Sequence, residues 1–305
     1  MIKLILTIYF ITLISALNIH AQSRHDNGDF PVLKDPYLGQ KPPAMLPELF
    51  APQIFKAEVH GGLVFSPDGK EVYWDLMEED QNILFMRIEN GRWTRPAEVP
   101  FKSKYGTGNA TFSQDGTRLF FTSQESIEGG RKVPEENIWV VERSNGRWGK
   151  PKPLHSVVNS YPLHWQISVA AKGNLYFGVH GDIYMAIPKD GKYTVVEKVS
   201  ASINTEYYEE TPFIAPDERY LIFSRYGGDL RYADLFISFK DRNGEWTEAK
   251  NMGPKINSNM HELCPNVTPD RKYLFFNRNY GEREDLRVFW VNAGIIDDII
   301  PDGIK

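Results

Sequence analysis

Apolar and aromatic residues in this chain fall in short runs that break on a polar turn and resume as a second run, five times over. The copies include Phe65-Ser66-Pro67-Asp68-Gly69-Lys70-Glu71-Val72-Tyr73-Trp74 and Phe112-Ser113-Gln114-Asp115-Gly116-Thr117-Arg118-Leu119-Phe120-Phe121. A third is degenerate, Ile167-Ser168-Val169-Ala170-Ala171-Lys172-Gly173-Asn174-Leu175-Tyr176-Phe177. The last two centre on Pro216-Asp217-Glu218 and Pro269-Asp270-Arg271. The aligned positions Ser66, Ser113, Ser168, Ala215 and Thr268 lie 47, 55, 47 and 53 residues apart. A period near fifty residues is that of one four-stranded propeller blade with its loops. In the Pro-Asp-Gly turn Pro presets φ, Asp bonds back to the backbone and Gly takes the left-handed conformation. The recurring aspartates are therefore read as hinges and not as five catalytic groups. The third unit lacks the Pro-Asp pair, and its turn is expected to be reshaped.

The rest of each unit agrees. A third strand opens on Asn or Asp before an apolar residue, at Asn82-Ile83, Asn137-Ile138, Asp182-Ile183, Asp234-Leu235 and Asp285-Leu286. Four units then carry a hairpin signal, Asn90-Gly91, Asn145-Gly146, Asp190-Gly191 and Asn243-Gly244. Trp93, Trp148, Tyr193 and Trp246 follow these turns and are read as packing between blades. The fifth unit runs out after Asp285-Leu286-Arg287-Val288-Phe289-Trp290-Val291 with no fourth strand. Leu46 to Ile54 is expected to supply it, since an open edge invites aggregation. The pattern predicts an all-β chain: a five-bladed β-propeller of four-stranded antiparallel blades, the last blade closed by an N-terminal strand. The expected division is a signal peptide at 1–21, an extended surface arm at 22–45, the propeller at 46–294 and a tail at 295–305.

The Ser-Pro-Asp-Gly-Lys turn before an aliphatic-aromatic strand resembles the WD40-like β-propeller repeats of the TolB-like superfamily, over roughly residues 45–293. The leader Tyr37-Leu38-Gly39-Gln40-Lys41-Pro42-Pro43 is similar to that of a group of exported bacterial propellers. The resemblance implies a periplasmic or secreted protein that binds other proteins. It does not by itself transfer an activity.

The remaining bulk features narrow the setting. Met1-Ile2-Lys3, the apolar run Leu4–Leu17 and Ala21 before a polar stretch form the layout of a secretory signal peptide cleaved after Ala21. The run is shorter than a membrane span requires, so no stable membrane insertion is expected after cleavage. With Cys264 the only cysteine, no intramolecular disulfide can form and no lipid-anchor cysteine stands at the cleavage point. Cys264 is read as a buried structural thiol. A net charge of −5 gives no electrostatic footprint for nucleic acid.

Candidate chemistry was sought where first strands start, because propeller ligands gather at the axial channel. His60, His164, Glu209, Glu210, His261 and Glu262 fall just upstream of the repeat turns and could converge at one mouth. They serve either as a ligand or acid–base site or as polar lining of a solvated channel. Arg225 and Arg278 hold one position at the ends of the second strands in units four and five. They are read either as an anion cradle or as partners of loop acids. No recognised metal, cofactor or nucleophile motif is present, no catalytic residue is assigned, and neither a metal nor another cofactor is expected. The leading expectation is a monomeric binding module for a protein or an envelope glycan. The alternative is a carbohydrate-active enzyme, lyase or glycoside hydrolase, with Tyr161, Trp165, Tyr207 and Tyr208 available to stack on sugars. A scaffold without a ligand is the third reading.

Overall fold

A computed structural model of the chain describes residues 30–55, 59–76, 82–162, 166–279 and 286–304. It is a five-bladed β-propeller. Each blade runs outward from an inner strand by antiparallel pairing. Blade 4 shows the plan: Tyr208–Ile214 lies innermost, then Tyr220–Tyr226, Asp234–Phe239 and the short outer strand Lys250–Asn251. Blade 3 is Ile167–Val169, Leu175–Val179, Asp182–Lys189 and Lys192–Lys198. In blades 1 and 2 the outer edge is shared by two short strands that both pair with the third.

Blade 5 takes its fourth strand from the other end of the sequence. Glu48–Leu49 pairs with Leu286–Asn292, Glu48 opposite Trp290 and Leu49 opposite Phe289. The seam between blades 5 and 1 is aromatic. The Phe50 ring sits 4.9 Å from both Phe275 and Trp290, and Tyr37 sits 4.9 Å from Tyr273. Leu38 is buried beside this seam, and Trp93 Nε1 donates to the Asp35 carbonyl at 2.9 Å. After the last strand, Ile295 and Ile296 join the apolar cluster between blades 4 and 5.

The repeat turns are built as the sequence suggests. Ser66 Oγ donates to Asp68 Oδ1 at 2.7 Å and accepts from the Glu71 amide at 2.9 Å. Ser113–Asp115 and Thr268–Asp270 repeat this at 2.6 and 2.7 Å. The degenerate third turn is not reshaped, but it places Ala170, two residues after the expected Ser168, at the position that Ser66 and Ser113 hold. Its Gly173 amide donates to Ala170 at 2.9 Å, as Gly116 does to Ser113 at 2.9 Å. Gly173 supplies the left-handed φ of 89° that closes the bend, and this alone suffices.

A second repeated device was not anticipated. Asn159, Asn204 and Asn257, each before a blade's inner strand, clip the start of the preceding blade's third strand. Asn204 Oδ1 accepts from the Ile183 amide at 2.6 Å, and Nδ2 donates to the Ile183 and Val199 carbonyls at 2.8 Å each. In blades 2, 3 and 4 the backbone of Ile138, Ile183 and Leu235 is thus held by the next loop while the side chain enters the core. Between blades the packing is apolar, with Leu235, Ile237, Leu274 and Val291 filling one such layer.

Candidate functional site

The two ends of the axis differ. At the turn end the inner strands converge on Pro67, Pro216, Pro269 and Gln114, around a gap of about 40 Å³. That is room for a few waters at most. Gln114 Nε2 crosses to the Val169 carbonyl at 3.1 Å and ties two blades there.

At the loop end, the inner strands of blades 2, 4 and 5 each break register before the turn: between Gly108 and Thr111, Glu210 and Phe213, and Leu263 and Asn266. Asn109, Thr211 and Cys264 sit at these bulges with φ of 52°, 50° and 53°. Left-handed backbone is unfavourable for threonine and cysteine and persists only where the surroundings enforce it. Asp75, Thr122 and Ser224, at a repeat position of the second strands that Asn277 also holds, bond to the Asn109 and Thr211 bulges and are almost fully buried, and the Cys264 amide donates to Thr211 Oγ1 at 3.3 Å. Asp75 Oδ1 accepts from the Asn109 amide at 3.2 Å, Thr122 Oγ1 from Asn109 Nδ2 at 3.2 Å, and Ser224 Oγ meets Thr211 Oγ1 at 2.6 Å. Asn277 Nδ2 donates to the Val59 and Gly61 carbonyls at 2.9 Å each. The sequence carries this signal plainly. In Trp74-Asp75, Phe121-Thr122, Phe223-Ser224 and Phe276-Asn277, a polar residue ends an otherwise apolar strand core.

Of the residues expected at the mouth, His60 and Glu210 belong to this axial cluster. His60 Nδ1 lies 3.3 Å from Asp75 Oδ2. Burial pulls its pKa down, but the Asp75 hydrogen bond and the charges of Asp75 and Glu136 outweigh that and hold it above the ordinary value. Glu136, which sequence reasoning did not single out, lies within the long third strand of blade 2, Lys132–Ser144. Burial raises its carboxyl to about 7, with the charge of His60 opposing and that of Asp75 adding. Burial alone raises Glu210. The Cys264 thiol is pushed up by burial and by the Asp75 and Glu210 charges, which places both acids in its neighbourhood.

Glu209, Arg225, Glu262 and Arg278 are used differently. They do not form two rings facing a funnel; they pair. Arg225 Nε donates to Glu209 at 2.8 Å and Nη2 to the Ile203 carbonyl at 3.0 Å. Arg278 repeats this with Glu262 at 2.7 Å and Ile256 at 2.6 Å. Thr205 and Ser258 complete the clamps, each giving an amide and a hydroxyl to its glutamate. Both glutamate side chains are fully buried and the arginines nearly so. Burial raises Glu262, and Ser258 and Arg278 offset only part of this. The signal was present as Ile203-Asn204-Thr205…Glu209 and Ile256-Asn257-Ser258…Glu262, a spacing that joins clip and clamp in one segment.

His261 lies at the rim. Its Nδ1 accepts from the Ala233 amide at 3.1 Å, its ring packs on Tyr232 at 5.2 Å, and burial lowers its pKa. His164 and Trp165 lie outside the described residues. Among the described residues, no three His, Cys, Asp or Glu side chains stand close enough to hold a metal ion.

The fold and the axial geometry define the class: a five-bladed β-propeller with a polar, acid-lined loop end. No family model matches the chain, and no curated protein matches it. Solved structures do. It is similar to a putative glycoside hydrolase from Bacteroides ovatus, at 12% identity over 86% of this chain and 96% of that one, with a TM-score of 0.52. It is similar to a gluconolactonase from Xanthomonas campestris, XC5397, at 12% identity over 86% and 98%, with a TM-score of 0.48. TolB from Acinetobacter baumannii aligns at 14% identity over 75% of this chain, with a TM-score of 0.49, and the chain spans 53% of TolB's length. At these identities the likeness concerns the fold alone.

Proposed function

We propose that this chain is an exported, monomeric binding module whose ligand, a glycan or protein segment of the cell envelope, engages the loop end of the axis. The observation that carries the reading is the contrast between the two ends. One is closed by prolines and cross-blade hydrogen bonds. The other places strained bulges and partly buried acids around one axis. Strain of this kind is kept where a site needs it. Export rests on the N-terminal layout of charge, apolar run and Ala21. Among the described residues no helix is long and apolar enough to cross a membrane. The test is binding of a glycan and peptide panel to the wild-type chain and to Glu210→Gln. Binding indifferent to that change at every ligand would refute the assignment of this end. Edman sequencing of the exported protein should start at Gln22.

A second reading is favoured by one observation. A carboxyl held near pH 7, beside the His60–Asp75 pair, is what a general acid requires. Turnover of the same glycans, lost in Glu136→Gln with binding retained, would select a carbohydrate-active enzyme. The hydrolase name carried by the Bacteroides ovatus neighbour is compatible with that outcome.

A further inference from the structure

We propose that the loop-end rim of blades 4 and 5 is a stacking platform for a pyranose glycan, built from Tyr208, Tyr226, Tyr232 and His261. The inference rests on reading the loop end as the ligand-binding end, and it selects a glycan over a protein segment. Among the described residues Tyr208 and Tyr226 are the large aromatic side chains most open to solvent, at 49% and 46%. They stand directly opposite each other on the first two strands of blade 4, an arrangement that sets Cβ atoms roughly 5 Å apart. The next ring belongs to blade 5: the His261 ring centre lies 6.1 Å from that of Tyr226 and 5.2 Å from that of Tyr232. The patch begins two residues outward from Glu210 and Ser224, so it adjoins the axial cluster. Tyr161, which the sequence offered for the same purpose, instead packs on Tyr184 at 5.3 Å, beside the apolar cluster of blades 2 and 3.

The rings are held in place before any ligand arrives. Tyr208 rests on Gly181 of blade 3, where an added Cβ would stand 2.4 Å from its Cδ1. Tyr207 beside it rests on Gly228, where a Cβ would stand 2.8 Å from its Cε1. A tyrosine fixed against backbone has little freedom left to lose on binding. The polar edges of the rings are unspent. The hydroxyls of Tyr208, Tyr226 and Tyr232 make no hydrogen bond among the described residues. His261 Nδ1 accepts from the Ala233 amide at 3.1 Å, which puts the ring hydrogen on Nε2, and that donor has no partner among the described residues either. Burial lowers the pKa of this ring and keeps it uncharged at neutral pH. A pyranose matches this pairing of ring faces with free donors and acceptors: its C–H face packs on a ring while its hydroxyls meet the polar edge. A proline-rich segment, the other ligand that aromatic surfaces take, brings no N–H from its prolines to the phenolic oxygens.

The experiment is calorimetric titration of the full chain at neutral pH with cellohexaose, maltohexaose and chitohexaose, and with decaproline as the peptide probe. At least one hexasaccharide should bind, and decaproline should not. Tyr208→Ala and Tyr226→Ala should each weaken that binding by about tenfold, and Tyr226→Phe, which keeps the ring, by less. Both positions are half exposed, so the fold should survive, and urea unfolding of each variant checks this. Glycan binding lost in Glu210→Gln but untouched by both alanine variants would leave the loop-end reading standing and overturn the platform. Glycan binding untouched by all of these changes would overturn both. Decaproline binding that depends on the tyrosines would overturn the glycan assignment, and binding of no hexasaccharide at about 10 mM would overturn the platform.

Discussion

Replacing Arg225 by alanine takes the cation away from a carboxylate that solvent does not reach. The Glu209 side chain is fully buried and has three donors: Arg225 Nε at 2.8 Å, the Thr205 amide at 3.0 Å and the Thr205 hydroxyl at 2.6 Å. Breaking a buried pair from one side costs about 3–5 kcal/mol. The lost bond to the Ile203 carbonyl adds about 1 kcal/mol. The guanidinium also stacks 4.4 Å from the Phe236 ring centre, worth about 0.5–2 kcal/mol. These contributions overlap, so the expected loss is about 4 kcal/mol at neutral pH. The double variant Glu209→Gln/Arg225→Met removes both charges at similar volume and should recover more than half of it. Arg278→Ala should cost a similar amount, because Glu262, Ser258 and Ile256 repeat the geometry. The assay is urea unfolding of these three variants beside the wild type, urea being chosen because it does not screen charge. A loss below about 1 kcal/mol for Arg225→Ala would refute the clamp and return Arg225 to the pool of ligand-binding groups.

Other outcomes follow from the same structure. Phe50→Ala opens the aromatic seam that closes the ring and should cost about 3–5 kcal/mol by urea unfolding; a shift under about 1 kcal/mol would mean the seam is not what latches the ring. Stability should fall between about pH 5 and 8. Glu136, raised to about 7, is protonated in the fold where the unfolded chain has already ionised, and His60, also raised, loses its bonus as pH climbs through its folded value. The Glu136 share is at most about 3 kcal/mol, and urea midpoints of Glu136→Gln should show a correspondingly flatter pH profile. Gly61→Ala would set a Cβ 2.5 Å from Asp75 Oδ1 and should destabilise by about 1–3 kcal/mol; unchanged stability would show that the Asp75 contact yields freely. Cys264, buried with its thiol pushed up, should resist a thiol-specific disulfide reagent until urea unfolds the chain.

The blades were legible because their signals are local. A Ser-x-Asp-Gly turn, an alternating strand and an Asn-Gly hairpin each act within a few residues, and the spacing of five copies sets their number. Even the closing strand was readable, because the fifth unit lacked one that the segment near Pro47–Pro52 could supply. The clamps were half legible. Glu209 and Arg225 were both singled out, but their pairing is a cross-strand register, which a broken ladder shifts and local pattern does not show.

The sequence by itself determined the number of blades, their turns and the ring closure, since each follows from backbone preferences and alternation repeated at a fixed period. Only the tertiary structure decided which polar residues share the axis. Asp75 and the Asn109 amide, or Asn277 and the Val59 and Gly61 carbonyls, lie in different blades, and nothing local marks them as neighbours. Their meeting depends on the closing of the ring and on bulges that turn the inner strands there. Strand pairing within blades 4 and 5 set Arg225 and Arg278 onto the buried Glu209 and Glu262 carboxylates, because a buried charge needs its counter-charge.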